Sequence, residues 1–209
     1  MLLVGTASAG TITLNGSNLS VPTVSLQGNV TQDAGATLAT QDINNPSGDT
    51  VKIMGDAAFT SGGGDSLIRI SLAGTFSARS GDRFFADYDF SATLNEVGAS
   101  PGSITYAVTG SASVTFFPPF VASSTGGPLA TGPQSFQGFA SSPAIPFNSN
   151  GTFTGFLEIN WQDALPGDKL VLSIPNNSID FTLSPVPEPS ALTFLALSLP
   201  LIANRRRRS

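Results

Sequence analysis

The chain reads as an all-β protein: an antiparallel β-sandwich, jelly-roll-like, with a hydrophobic helix at its C-terminal end. Three observations predict it. Apolar residues recur at every second position over long stretches, the period of a strand with one buried face. Helical periodicity is nearly absent from the body of the chain. The body divides into about eight to ten such alternating segments in roughly 175 residues.

The segments can be taken in order. Thr11–Leu14, Leu19–Leu26 and Val51–Met54 are predicted early strands. Ile68, Ile70 and Leu72 alternate with Arg69, Ser71 and Ala73. Phe84, Ala86, Tyr88, Phe90, Ala92 and Leu94 alternate with polar or smaller neighbours over the next strand. Ile104, Tyr106, Val108, Ala112, Val114 and Phe116 fill one face of a third long strand, and Phe153, Leu157, Ile159 and Trp161 one face of a fourth. Leu170, Leu172 and Ile174, then Ile179, Phe181 and Leu183, make a closing pair. About eight to ten strands in residues 10–184 suit two sheets packed face to face. Trp161 is in the apolar phase and belongs to the core.

Strands 67–78 and 82–94 are joined by Arg79-Ser80-Gly81 and are expected to form a hairpin. Placing Phe76 and Phe84 on one face requires paired numbers that sum to an even value. A sum of 160 pairs Phe76 with Phe84; a sum of 162 opposes Arg79 to Arg83, a like-charge pair. The first is favoured, with Gly81 in the left-handed conformation. Gly62-Gly63-Gly64 lacks the Lys-Ser/Thr of a phosphate loop and reads as a turn.

Residues Phe117–Asn150 break the alternation. Six prolines lie between Phe120, Phe136, Phe139 and Phe147 or just before them. The stretch reads as a crossover whose aromatics plug one end of the sandwich, as a ligand-contacting loop, or as a flexible insertion.

Composition narrows the chemistry. The chain has no Cys and no His, which excludes disulfides, thiol chemistry, His-dependent triads and His-ligated metal sites. No cofactor is expected. Formal net charge is −5; without Arg205, Arg206, Arg207 and Arg208 five basic residues face fourteen acidic ones, a net of −9. An acidic body disfavours nucleic acid and anionic lipid as partners.

Asp87 and Asp89 share one strand face, roughly 7 Å apart. That spacing suits a solvated face with Arg69 as a diagonal neighbour of Asp89, a Ca²⁺ site with other oxygen ligands, or a pair of glycosidic acids. Asp82, Asp163 and Asp168 are further possible ligands from turns. Asn15, Asn18, Asn29, Asn150 and Asn176 each begin an N-x-S/T sequon, chiefly a sign of polar turns.

The two ends carry targeting information. Met1–Ala9 looks like the end of a secretory signal, with Ala7-Ser8-Ala9 as cleavage site, Gly10 as mature start and the front of the signal missing. At the other end Val186-Pro187-Glu188-Pro189-Ser190 precedes an apolar run, Ala191–Ala203, and the basic cluster Arg205, Arg206, Arg207 and Arg208. The two prolines forbid regular structure around Glu188 and hold it extended. Four adjacent arginines favour the cytoplasmic face of a membrane and act as a retention cluster. A helix of the 13 apolar positions spans about 20 Å against a hydrocarbon core of roughly 30 Å, a marginal, retention-type anchor.

This tail, about residues 185–209, resembles the PEP-CTERM sorting signal of exopolysaccharide-producing Gram-negative bacteria. The resemblance implies that Pro187, Glu188 and Pro189 are recognised by an exosortase, a membrane-embedded transpeptidase. It also implies an inner-membrane intermediate and delivery to the cell surface or the polysaccharide matrix, with glycosylation suspected in the family. The expected organisation is therefore a signal remnant (1–9), a β-sandwich (10–184) and a sorting tail (185–209). The expected function is that of an exported, non-enzymatic matrix protein; the alternatives are a carbohydrate-binding module or a Ca²⁺-dependent glycan-active enzyme.

Overall fold

A computed structural model describes residues 10–44, 48–97, 103–128 and 131–185. Several expectations lie outside the described residues: the cleavage site at Ala7 and Ala9, the motif Val186–Ser190, the C-terminal helix, and the retention cluster Arg205, Arg206, Arg207 and Arg208.

Ten strands and one 3-10 turn (Gly16–Leu19) make up the body: β1 Thr11–Leu14, β2 Thr23–Gln32, β3 Ala39–Ile43, β4 Asp49–Ala78, β5 Asp82–Asn95, β6 Ser103–Ser113, β7 Phe120–Gly126, β8 Gly132–Ser141, β9 Ser149–Ala164 and β10 Lys169–Pro185. All pairing is antiparallel, in the order β7-β6-β9-β4-β10-β5-β8, with β1, β2 and β3 also on β4. The 30-residue β4 is the hinge of the sandwich. Its first half, Asp49–Thr60, pairs with β10 and β3; its second half pairs with β9, β1 and most of β2.

The expected turn at Gly62–Gly64 is instead a bend inside this strand. Gly63 and Gly64 have φ of 102° and 84°, a region open to glycine and strained for L side chains. They let one strand leave one sheet and enter the other without ending the strand.

Two layers result, β7-β6-β9 with the second half of β4, and β8-β5-β10 with the first half. Their inner faces supply the core predicted by the alternation: Ile68, Ile70, Leu72, Phe84, Phe90, Leu157, Trp161, Leu170, Phe181 and Leu183 are all buried. Phe84 stacks on Phe153, and Phe153 meets Phe181 at 5.9 Å, both contacts crossing between layers. Phe181 lies over Gly155 and Gly110, which are cross-strand partners; a Cβ on Gly155 would stand 2.6 Å from its ring.

The expected hairpin between strands 67–78 and 82–94 does not form, because β4 and β5 are not neighbours in the sheet. Both edges of the second half of β4 are already taken by β9 and by β1 and β2. The Arg79–Gly81 link therefore crosses between layers, and Phe76 meets Phe84 edge-on at 5.2 Å through the core. The shared apolar face and the left-handed Gly81 (φ 96°) are as expected; the hydrogen-bonded register is not. Asp82 stabilises the crossing by accepting from the Arg79 amide (2.8 Å) and the Gly10 amide (3.2 Å).

Residues 117–150 are not the structureless loop expected. Half of them form the edge strands β7 and β8. Phe120 and Phe136 pack on the core, and Phe136 contacts Phe90 and Tyr106 at 5.3 and 5.0 Å. The prolines lie in the connections or, like Pro133, near the start of an edge strand, where a missing amide is tolerated. At the seam between these edges Tyr88 Oη contacts Ser124 Oγ (3.0 Å) and Tyr106 Oη (3.5 Å). Burial first, then the Tyr88 contact, pushes the Tyr106 hydroxyl above the usual tyrosine range.

Candidate functional site

The outer faces of the two layers differ in chemistry. On the β8-β5-β10 layer, register aligns one side chain from each of four adjacent strands: Lys52 (β4) opposes Asp180 (β10), Asp180 opposes Asp87 (β5), and Asp87 opposes Phe139 (β8). Lys52 and Asp180 form an ion pair at 2.9 Å and are mostly buried. Desolvation raises the Asp180 carboxyl above the usual range; Lys52 opposes that shift and Asp87 reinforces it. Asp180 Oδ1 is buried without a hydrogen-bond partner among the described residues.

Phe139, at the far end of the row, is 60% exposed. Its ring stacks on Phe85 at 5.6 Å with an interplanar angle of 28°. Beside it Gln137 Nε2 donates to Asp89 Oδ2 at 2.9 Å. A flat, solvent-facing aromatic shelf thus lies next to two exposed carboxylates and an amide.

Asp87 and Asp89 do share the predicted face. Arg69, expected beside Asp89, lies on the opposite layer, where it pairs with Glu158 and covers the Phe156 ring at 4.6 Å. Among the described residues no three metal-ligating side chains converge. Asp82 and Asp168, considered as ligands, are buried and held by backbone amides. Asp168 accepts from Val97 and Leu165, both at 2.8 Å. Asp163, placed in a turn by the sequence, is exposed one residue before the end of β9, with φ of 53°. Of the sequon residues, Asn18 is buried and accepts a hydrogen bond from Thr23.

Sequence reasoning missed Phe85, Phe139, Lys52 and Asp180 as a group. The signal for Phe139 was present: Phe136, Gly138 and Ala140 alternate with Gln137, Phe139 and Ser141. Only register brings β8, β5, β10 and β4 into one row.

A cleft of about 440 Å³ on the other layer is lined by Thr105, Thr125, Gly126, Gly127, Glu158 and Asn160, among others. Its carboxylate, Glu158, is already engaged by Arg69, and the nearby Phe156 face is covered by the same guanidinium. The shelf at Phe139 leaves the ring and the Asp87 carboxylate exposed to a ligand, with Asp89 held beside them by Gln137.

No protein-family model matches the chain, and no curated protein does. Solved structures with a similar outline include a carbohydrate-binding module of the β-sandwich superfamily, studied for promiscuous specificity. It is 14% identical, with a TM-score of 0.40 over 81% of this chain and 61% of that one. A second is TmCBM61 in complex with beta-1,4-galactotriose, 10% identical, with a TM-score of 0.32 over 77% of this chain and 88% of that one. The chain thus spans less than two thirds of the first module's length.

Proposed function

We propose that the sandwich is a non-catalytic polysaccharide-binding domain that engages its ligand at the outer face of β5 and β8. The observation that carries this reading is Phe139, exposed, backed by Phe85 and flanked by Asp87, Asp89 and Gln137. A pyranose ring presents one apolar C–H face and a rim of hydroxyls. A phenyl ring supports the first by apolar contact; carboxylates accept from the second in charge-assisted hydrogen bonds. Glycosidases set two carboxylates on either side of the scissile bond, whereas Asp87 and Asp89 stand side by side on an open sheet.

Export and sorting complete the reading. The Pro187-Glu188-Pro189 motif, the apolar run and the cluster Arg205, Arg206, Arg207 and Arg208 support processing by an exosortase at the inner membrane and release to the surface or matrix.

Two experiments test these readings. Affinity electrophoresis against bacterial exopolysaccharides and a panel of plant and microbial glycans should show retardation that Phe139→Ala weakens by tenfold or more, about 1.4 kcal/mol. Equal retardation of the variant, or none of the wild type on any glycan, would retire the shelf. Separately, mass spectrometry of the mature C-terminus in an exosortase-bearing host should show Arg205–Arg208 removed from the wild type and kept in Glu188→Ala. Retention in both would leave a simple tail-anchored protein.

A further inference from the structure

Of the three exposed phenylalanines among the described residues, Phe139 belongs to the shelf and the other two sit together at one end of the sandwich. Phe116 is 98% exposed and Phe117 50%, on the turn that follows β6. Phe117 packs on Phe147 at 4.6 Å, and the next residues, Pro118 and Pro119, are exposed too. Phe116 holds φ at 70°. That conformation is costly for a bulky residue and persists where the surroundings impose it. Here its result is to present a phenyl ring wholly to the outside.

The described residues end at this same end of the sandwich. Pro185, the last residue of β10, pairs with Asp82. Two residues before Asp82, Ser80 donates from its hydroxyl to Pro146 O (2.9 Å) and from its amide to Asn148 Oδ1 (3.0 Å), the residues on either side of Phe147. Beyond Pro185 lie 24 residues that contain the apolar run Ala191–Ala203 and Arg205–Arg208. At this end Asp49 and Asp82 are buried and held by backbone amides; Arg79 is exposed, and so is one acid, Asp42. The opposite end exposes Asp65 and Asp163.

We infer that this end is a membrane-facing rim: while the apolar segment is inserted, Phe116 and Phe117 rest in the interfacial zone of the bilayer and Arg79 reaches its phosphates. Aromatic and aliphatic side chains on a polar body favour that zone, and an arginine stem lies along apolar surface while its head stays with water and phosphate. Thr193, inside the apolar run, is eight residue steps beyond Pro185. Those steps can extend at most about 29 Å, so the sandwich cannot stand far from the lipid. The rim rests on the membrane reading of the tail, and the test separates the two.

The protein contains no cysteine, so Phe116→Cys and, at the far end, Val97→Cys each give one attachment point for a benzophenone probe. The full chain is reconstituted in vesicles of phosphatidylethanolamine and phosphatidylglycerol, floated on a density gradient and illuminated. Both proteins should float, and lipid adducts should be several-fold more abundant at position 116 than at 97. Flotation with equal or no lipid adducts overturns the rim and leaves the tail reading standing. Adducts from 116 to residues 186–209, or to a second copy, place another occupant on the patch and also overturn it. Failure of both to float removes the membrane reading and the rim with it.

Discussion

Gly155→Ala tests the packing of the two layers with a single methyl group. Gly155 has no positive φ, so alanine fits its backbone, and at an open site the change would stabilise by about 0.4–1 kcal/mol through the unfolded chain. Here the new Cβ would lie 2.6 Å from Cδ2 and Cε2 of Phe181, about 1 Å inside ordinary carbon contact. Phe181 is fully buried and wedged against Phe153, so its ring has little room to yield. Overpacking of this kind costs about 1–3 kcal/mol. The steric cost outweighs the entropic gain, leaving a net destabilisation of about 1–2 kcal/mol. For a domain of this size that lowers Tm by about 2–8 °C. Gly110→Ala should be milder, since its Cβ would stand 3.1 Å from one ring atom. The assay is chemical and thermal unfolding of the single variants and of Gly155→Ala in a Phe181→Leu background. Removal of the ring should abolish the steric cost, a coupling of about 1–3 kcal/mol. A neutral or stabilising Gly155→Ala, or the same cost in both backgrounds, would refute the argument.

Other outcomes follow from the same geometry. Asp168→Ala strands the part-buried Val97 and Leu165 amides and should cost about 1–3 kcal/mol, with Asp168→Asn recovering part of it; a wild-type unfolding midpoint in the alanine variant would contradict the latch. Stability should rise as pH falls from neutral to about 4, the lower edge of the raised carboxyl range. Burial raises the carboxyls of Asp42, Asp49 and Asp180 in the folded state, so the folded protein holds their protons more tightly than the unfolded chain, and ionisation on raising the pH loses stability. Asp33 has the opposite sign: its hydrogen bonds with Lys169 and Thr60 lower its carboxyl, and its contribution is lost only at more acid pH. A Tm that declines steadily from neutral pH to about pH 4 would contradict that ordering.

Strand alternation made much of the fold legible before any coordinates. Ile68, Phe84, Trp161 and Phe181 were assigned to the core from period alone, and all are buried. That works because a strand's side-chain period is fixed by its backbone, whatever lies beside it. Asp87 and Asp89 were placed on one face for the same reason. The strands β7 and β8 were hidden because the prolines that flank β7 and the glycines and Pro133 of β8 imitate a loop, and an edge strand, paired on one side only, tolerates a proline near its start.

What the sequence by itself determined is therefore local: which residues face inward, where the chain can turn, and the order of motif, apolar run and arginines at its end. Only the tertiary structure decided the neighbours. It sent β4 through both layers, crossed rather than paired the Phe76 and Phe84 strands, and aligned Lys52, Asp180, Asp87 and Phe139. The physical reason is that alternation has the same form on every strand. The choice between partners comes from edges already occupied, from glycines that admit a facing ring, and from buried carboxylates that hold turns closed. Those are relations between distant segments, which no single segment contains.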